Sequence, residues 1–402
     1  MMRRVSIIVA FSLWLSSTAV LAETKKPQQP NKFPPNPLEI TTPDPLLPRK
    51  PDKQPLTIQE QQELETALDK LNLDAAAKLQ AGDKVAAFDT WNREIRLRRY
   101  LGSLAEVDAL SRVGEIAWRA NERPQVQYVT QRLQSIQKPK KSPPVTDLEL
   151  LQALGAAYQK VRSPQLALEV YNQVLASVRQ QQNSTAEIET LKTIGTIQMG
   201  WFDYVKAAAT YEELLRLASA RGERVNEVGY LQQLAYIYEQ ARMPQQTVNA
   251  RSKLADIYLK DNNIAEIPGL KIALASDYEK LAKENPSLLQ NAFQNYQEAY
   301  TSAWEQQQYV RAGEALQKLI ALYRSQGQID EALQTSQILL QTEELAGNFY
   351  GLMTAYDQIG QMYVQRKEFP QARTAFQAGL KIAQQLQVQE SYFTEQIQKI
   401  PT

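Results

Sequence analysis

A small residue recurs at a near-constant interval through most of this chain. Gly114, Gly155, Gly195, Ala235 and Ala275 are separated by 41, 40, 40 and 40 residues, and Ile320 and Gly360 follow after gaps of 45 and 40. A large apolar residue always precedes this beat: Val113, Leu154, Ile194, Leu234, Leu274, Leu319 and Ile359. Tyr158, Tyr238, Tyr278, Tyr323 and Tyr363 stand three residues after it. Ala167, Ala207, Ala332 and Ala372 lie twelve after it, and Tyr171, Tyr211 and Phe376 four residues later still. A fixed period of this length means a repeat array, in which no unit buries its apolar face alone.

Each unit reads as two antiparallel helices. Leu151, Leu154, Gly155 and Tyr158 share one helix face, as do Ala167, Val170, Tyr171 and Val174. The small residue removes bulk where the helices approach, and the later aromatic fills the space beside it. Pro124, Pro164, Pro244 and Pro370 fall where the second helix should begin, a place that tolerates a missing N–H. Thr57/Glu60, Thr146/Glu149, Ser184/Glu187 and Ser287/Gln290 read as capping boxes. The excess between Ala275 and Ile320 points to an insertion around Lys283–Ser287, and Ser391–Ile400 to a terminal capping helix.

This pattern resembles the tetratricopeptide repeat (TPR) family over roughly residues 57–400. The family unit is usually about 34 residues, so this is a long-helix variant, with proline opening the second helix where the family closes it. The resemblance implies an all-α fold, a right-handed α-solenoid of seven to eight antiparallel helix pairs. The expected organisation is a signal peptide or N-terminal anchor (1–22), a Pro-rich disordered linker (23–56), the repeat domain (57–386) and a C-terminal capping helix or tail (387–402).

Arg3 and Arg4 followed by the apolar stretch Val5–Leu15 and the exit Val20-Leu21-Ala22 have the order of a secretory signal. Retained, Val5–Ala22 would instead serve as a membrane anchor, and it is the expected route to a membrane. Composition and signal style look like an exported bacterial protein of cyanobacterial type, placed in the periplasm or envelope. The ten prolines from Pro27 to Pro55 favour an extended chain over a helix. The basic run Arg93–Arg99 reads as a solvated helix face.

The chain has no histidine and no cysteine. That removes His-dependent nucleophilic triads, imidazole and thiolate metal sites and disulfides. No phosphate-binding Gly-rich loop appears, and a net charge of +1 argues against nucleic acid as partner. Carboxylate pairs such as Glu212-Glu213 and Glu343-Glu344 read as solvating charges on helix exteriors. The expectation is therefore no enzyme, no cofactor and no metal.

The resemblance places a ligand in the concave groove lined by each first helix. The expected groove residues are Glu115, Trp118, Gln152, Gln159, Lys192, Thr196, Gln232, Tyr236, Glu239, Gln317, Arg324, Asp357 and Gln361. They lack the Lys/Asn/Arg set that clamps a peptide carboxylate in chaperone-binding members. Amides with Trp118 and Tyr236 as anchors suit a protein or peptide. The expected function is a non-catalytic adaptor or scaffold of the bacterial envelope. The alternatives are a carbohydrate-active or other acidic-residue enzyme of the envelope and a cytoplasmic TPR regulator.

Overall fold

A computed structural model of the chain describes residues 36–47, 55–139 and 145–401. The expected signal segment, and residues 23–35 and 48–54 of the expected linker, lie outside them. The described residues contain seventeen α-helices and no strand, and the chain divides after Ile136 into two compact units. Both are stacks of antiparallel helix pairs, the all-α solenoid architecture that the repeat implies.

The first unit holds α1 (Ile58–Gln80), α2 (Lys84–Arg98), α3 (Ser103–Arg119) and α4, which runs Arg123–Gln137. The second holds α5 (Leu148–Lys160), α6 (Pro164–Gln180), α7 (Ser184–Gly200), α8 (Tyr204–Arg221), α9 (Arg224–Gln240) and α10 (Pro244–Lys260). It continues through α11 (Ile267–Ala282), α12 (Leu289–Glu305), α13 (Tyr309–Ser325), α14 (Ile329–Leu345), α15 (Phe349–Gln365), α16 (Phe369–Leu386) and α17 (Glu390–Lys399).

The turns reveal a period half that of the sequence. Arg162, Gln182, Phe202, Gly222, Arg242 and Asn262 stand 20 residues apart, all at positive φ. Gln307, Gly327, Gly347, Lys367 and Gln387 resume the series. After each of these the next N–H reaches back five residues, as Ser163 to the Tyr158 carbonyl (2.9 Å), Asp203 to Gln198 (2.9 Å) and Met243 to Tyr238 (2.8 Å). At these turns one left-handed residue therefore closes the helix and reverses the chain, satisfying carbonyls that a helix end leaves unpaired. The register breaks between α11 and α12, where Lys283 and a 3-10 turn at Pro286–Leu288 replace the tight turn. That is the extra length between Ala275 and Ile320.

Packing explains the beat. A β-carbon on Gly155 would stand 2.9 Å from the Tyr171 ring, one on Gly195 2.7 Å from Tyr211, and one on Gly360 2.5 Å from Phe376. Where the beat is Ala235, Ala275 or Ile320, the position sixteen residues later is Arg251, Asn291 or Ser336. A larger residue on one helix thus goes with the loss of the ring on the other, as close packing requires. At the end of the array Phe393 of α17 covers Gly379 of α16 and is fully buried.

Several local expectations need correction. The Thr57/Glu60 capping box forms. At the other three starts the cap is Asp147, Asn183 or, before the 3-10 turn, Asn285. An Asx side chain beside each expected hydroxyl is at least as good an acceptor. Glu343 is not a solvating charge: it is 2% exposed. Its carboxylate accepts from Gln317 (2.8 Å) and Asn348 (2.6 Å), in space left by Gly313 and Gly351. The Arg93–Arg99 run is not a free solvated face either, because residues 36–47 dock on it. Leu38 is fully buried there, and Arg93 grips the Asp44 carboxylate through two bonds of 2.7 and 2.8 Å.

Candidate binding surface

The first helices of the pairs in the second unit are α5, α7, α9, α11, α13 and α15, and they carry most of the expected groove residues. Many of their amides are engaged inside the protein. Gln159 donates to the Tyr171 hydroxyl (3.0 Å) and Gln232 to that of Tyr258 (2.9 Å). Gln317 is held by Glu343, and Gln361 reaches the Tyr392 hydroxyl at 3.3 Å. Asp357 accepts from the same Tyr392 hydroxyl at 2.8 Å. These bonds fasten each helix to a neighbour, so their first role is alignment of the stack.

Charge is concentrated around Glu239. Its carboxylate accepts from Arg251 (2.8 Å) and Lys280 (3.2 Å), both of which also engage the buried Asp277. Burial pushes the Glu239 pKa up, but the hydrogen bonds from Arg251 and Lys280 outweigh it and hold the carboxyl below its ordinary range. A cavity of about 390 Å³ opens here, lined by Glu239, Arg242, Met243, Thr247 and Asp277. Lys192 pairs with Glu189 at 3.0 Å, and that bond raises its pKa against the opposing effect of burial. Thr196 donates to the Lys192 carbonyl (2.8 Å). Gln152 and Arg324 face solvent.

The most unusual surface lies around Tyr236. It is 47% exposed, and nearby Phe202 and Trp201 are 76% and 49% exposed. Tyr204, in the first turn of α8, lies close to Tyr236. The Phe202 and Tyr204 rings meet edge-on with centroids 6.2 Å apart, and Val205 is exposed beside them. Phe202 occupies the left-handed turn position at φ 61°, a conformation unfavourable for a bulky residue. Asn121, Arg162, Arg242, Gly327 and Lys367 hold the equivalent position elsewhere.

Trp201 and Phe202 were missed by reasoning from helix faces, because they sit in a turn. The signal was nevertheless present: Trp201-Phe202-Asp203-Tyr204 is an aromatic run where other repeats place polar residues. In the first unit, Trp118 is half-exposed beside a cavity of about 320 Å³ that includes Asn121, Glu122 and Val126. Glu115 is ion-paired to Arg119 at 2.5 Å. Two further cavities lie between second helices, about 430 Å³ beside Glu212 and Tyr238 and about 580 Å³ beside Phe349 and Tyr356.

Among the described residues, no group of three or more His, Cys, Asp or Glu side chains could hold a metal ion. No helix there is long and apolar enough to cross a membrane.

No family model matches the chain, and no curated protein matches it. Among solved structures it is similar to BtubC (BKLC) from P. vanneervenii at 16% identity and TM-score 0.38, covering 56% of this chain and 92% of that one. It is also similar to a Signal Transduction ATPase with Numerous Domains (STAND) protein with a tetratricopeptide repeat sensor from Pyrococcus horikoshii, at 15% identity and TM-score 0.35, covering 79% and 45%. A third is aspartyl phosphate phosphatase F from Bacillus subtilis, at 14% identity and TM-score 0.31, covering 84% and 77%.

Proposed function

We propose that this protein is a non-catalytic adaptor of the bacterial envelope that binds a protein or peptide through the aromatic patch around Phe202. The observation that carries this reading is Phe202 itself. A left-handed position costs an ordinary side chain about 1–2 kcal/mol, and the Phe202 ring recovers little of it beyond its edge-on contact with Tyr204. Arg162, Arg242 and Lys367 share that turn conformation, so what points to a use for the side chain is a large exposed ring kept there in place of a polar residue. Trp201, Phe202, Tyr204 and Tyr236 offer rigid apolar faces with hydroxyl and indole donors, the side chains that anchor interfaces.

Placement in the envelope is supported by the order of charged, apolar and small residues over 1–22. The non-catalytic reading is supported by the chemistry of the chain, which offers no imidazole or thiol. The test is capture from envelope extract by the full-length mature protein, alongside a Trp201→Ser/Phe202→Gly variant. A partner retained by the first and lost by the second supports the reading. Equal capture by both, or saccharide hydrolysis without a protein partner, contradicts it.

A further inference from the structure

The N-terminal strap of the first unit is a peptide held in a site. Asn36-Pro37-Leu38 and Asp44-Pro45-Leu46 are two copies of one short motif, eight residues apart. They make the same pair of local hydrogen bonds. The Asn36 side-chain oxygen accepts from Leu38 N–H (2.9 Å) and the Asn36 carbonyl from Glu39 (2.9 Å). Asp44 does the same with Leu46 (3.0 Å) and Leu47 (3.0 Å). Each is an Asx turn stiffened by the proline that follows it.

The receptor is a ladder of arginines. Arg93, Arg96 and Arg99 are spaced i, i+3, i+6 along α2 and the turn after it, on one face. Arg93 forks onto the Asp44 carboxylate, Arg96 donates to the Pro37 carbonyl (2.7 Å), and Arg99 to the Leu38 carbonyl (2.7 Å). Arg132 of α4 approaches Glu39 at 3.4 Å. Leu46 and Leu47 pack with Leu64, Leu68 and Leu97. The ladder thus reads main-chain carbonyls, one carboxylate and apolar side chains, which is how a peptide site recognises an extended ligand. Its fit to the strap is incomplete. The Arg99 Nε is buried and has no hydrogen-bond partner among the described residues.

We propose that the arginine-lined face of α2 is a peptide-binding site for Asx-Pro-Leu segments, filled in cis by residues 36–47 and open to a partner peptide of the same chemistry. Covalent attachment gives the strap an effective concentration on the order of mM. A partner segment must therefore displace it, and occupancy is regulated by whatever releases the strap. This site is separate from the aromatic patch, and its success or failure is independent of that reading.

The test uses the full chain with a protease site introduced within residues 48–54, so that cleavage turns the strap into a separable peptide. The probe is a fluorescent synthetic peptide of residues 36–47. After cleavage and washing, the probe should bind at least tenfold more tightly than it binds the uncut chain. Adding Arg93→Ala/Arg96→Ala should weaken that binding at least tenfold while circular dichroism shows the same helix content. Equal probe binding before and after cleavage overturns the proposal, as does failure of the probe to bind once the strap has left a folded protein. A uncut chain that dimerises by exchanging straps would make a second copy the occupant, and also overturns it.

Discussion

The ring of Tyr211 lies 2.7 Å from where a β-carbon on Gly195 would stand. The two residues are sixteen apart, on α7 and α8, and neither position is free to change alone. Gly195→Leu should overpack this contact at a cost of about 1–3 kcal/mol, beyond any gain in helix propensity. Gly229, in α9, is the control, since a β-carbon there would meet nothing within 4 Å. Gly229→Ala should stabilise by about 0.5–1 kcal/mol, the helix penalty of glycine. Denaturant melts of both variants check the pair: opposite signs are expected, and equal effects would place the helix faces wrongly.

The Gly195–Tyr211 contact was legible in the sequence because both residues repeat at a fixed offset. The 20-residue turn period was not, because residues as different as Arg162, Gln182, Phe202 and Gly222 share one backbone conformation. The amides of Gln232 and Gln317 read as groove residues because helix periodicity shows which face a residue occupies. It does not show that Tyr258 and Glu343, both 26 residues later, reach across to them. The docking of Asp44 on Arg93 was hidden for the same reason. Its partners are 49 residues apart in sequence, in a stretch whose prolines suggested only extension.

Acid should loosen that docking. The hydrogen bond from Arg93 is the main cause that holds the Asp44 pKa below its ordinary value of 3.8, against the opposing effect of burial. A carboxyl whose pKa is lower when folded adds stability above its unfolded pKa and loses it as pH falls through the folded one. At neutral pH Asp44→Asn should cost about 1 kcal/mol, allowing for the solvent exposure of the pair. The gap between variant and wild type should close below about pH 3.8. Melts across pH check this; a gap that widens in acid would contradict it.

The N-terminus of the mature protein should lie near Glu23, after the small-residue exit Val20-Leu21-Ala22. Mass spectrometry of protein recovered from its native host should find that terminus. An intact Met1 or Met2 in the membrane fraction would replace cleavage with anchoring.

The proposed role of Phe202 in binding comes at the expense of stability. Phe202→Gly relieves a left-handed backbone position, so it should leave stability unchanged or raise it by up to about 1 kcal/mol. The same variant should weaken partner binding at least tenfold, about 1.4 kcal/mol or more. The deciding measurement is a paired thermal melt and binding titration of Phe202→Gly against wild type. Equal or higher melting temperature with at least tenfold weaker binding is the predicted result. A lower melting temperature with unchanged binding would mean that the ring is structural and the binding surface lies elsewhere.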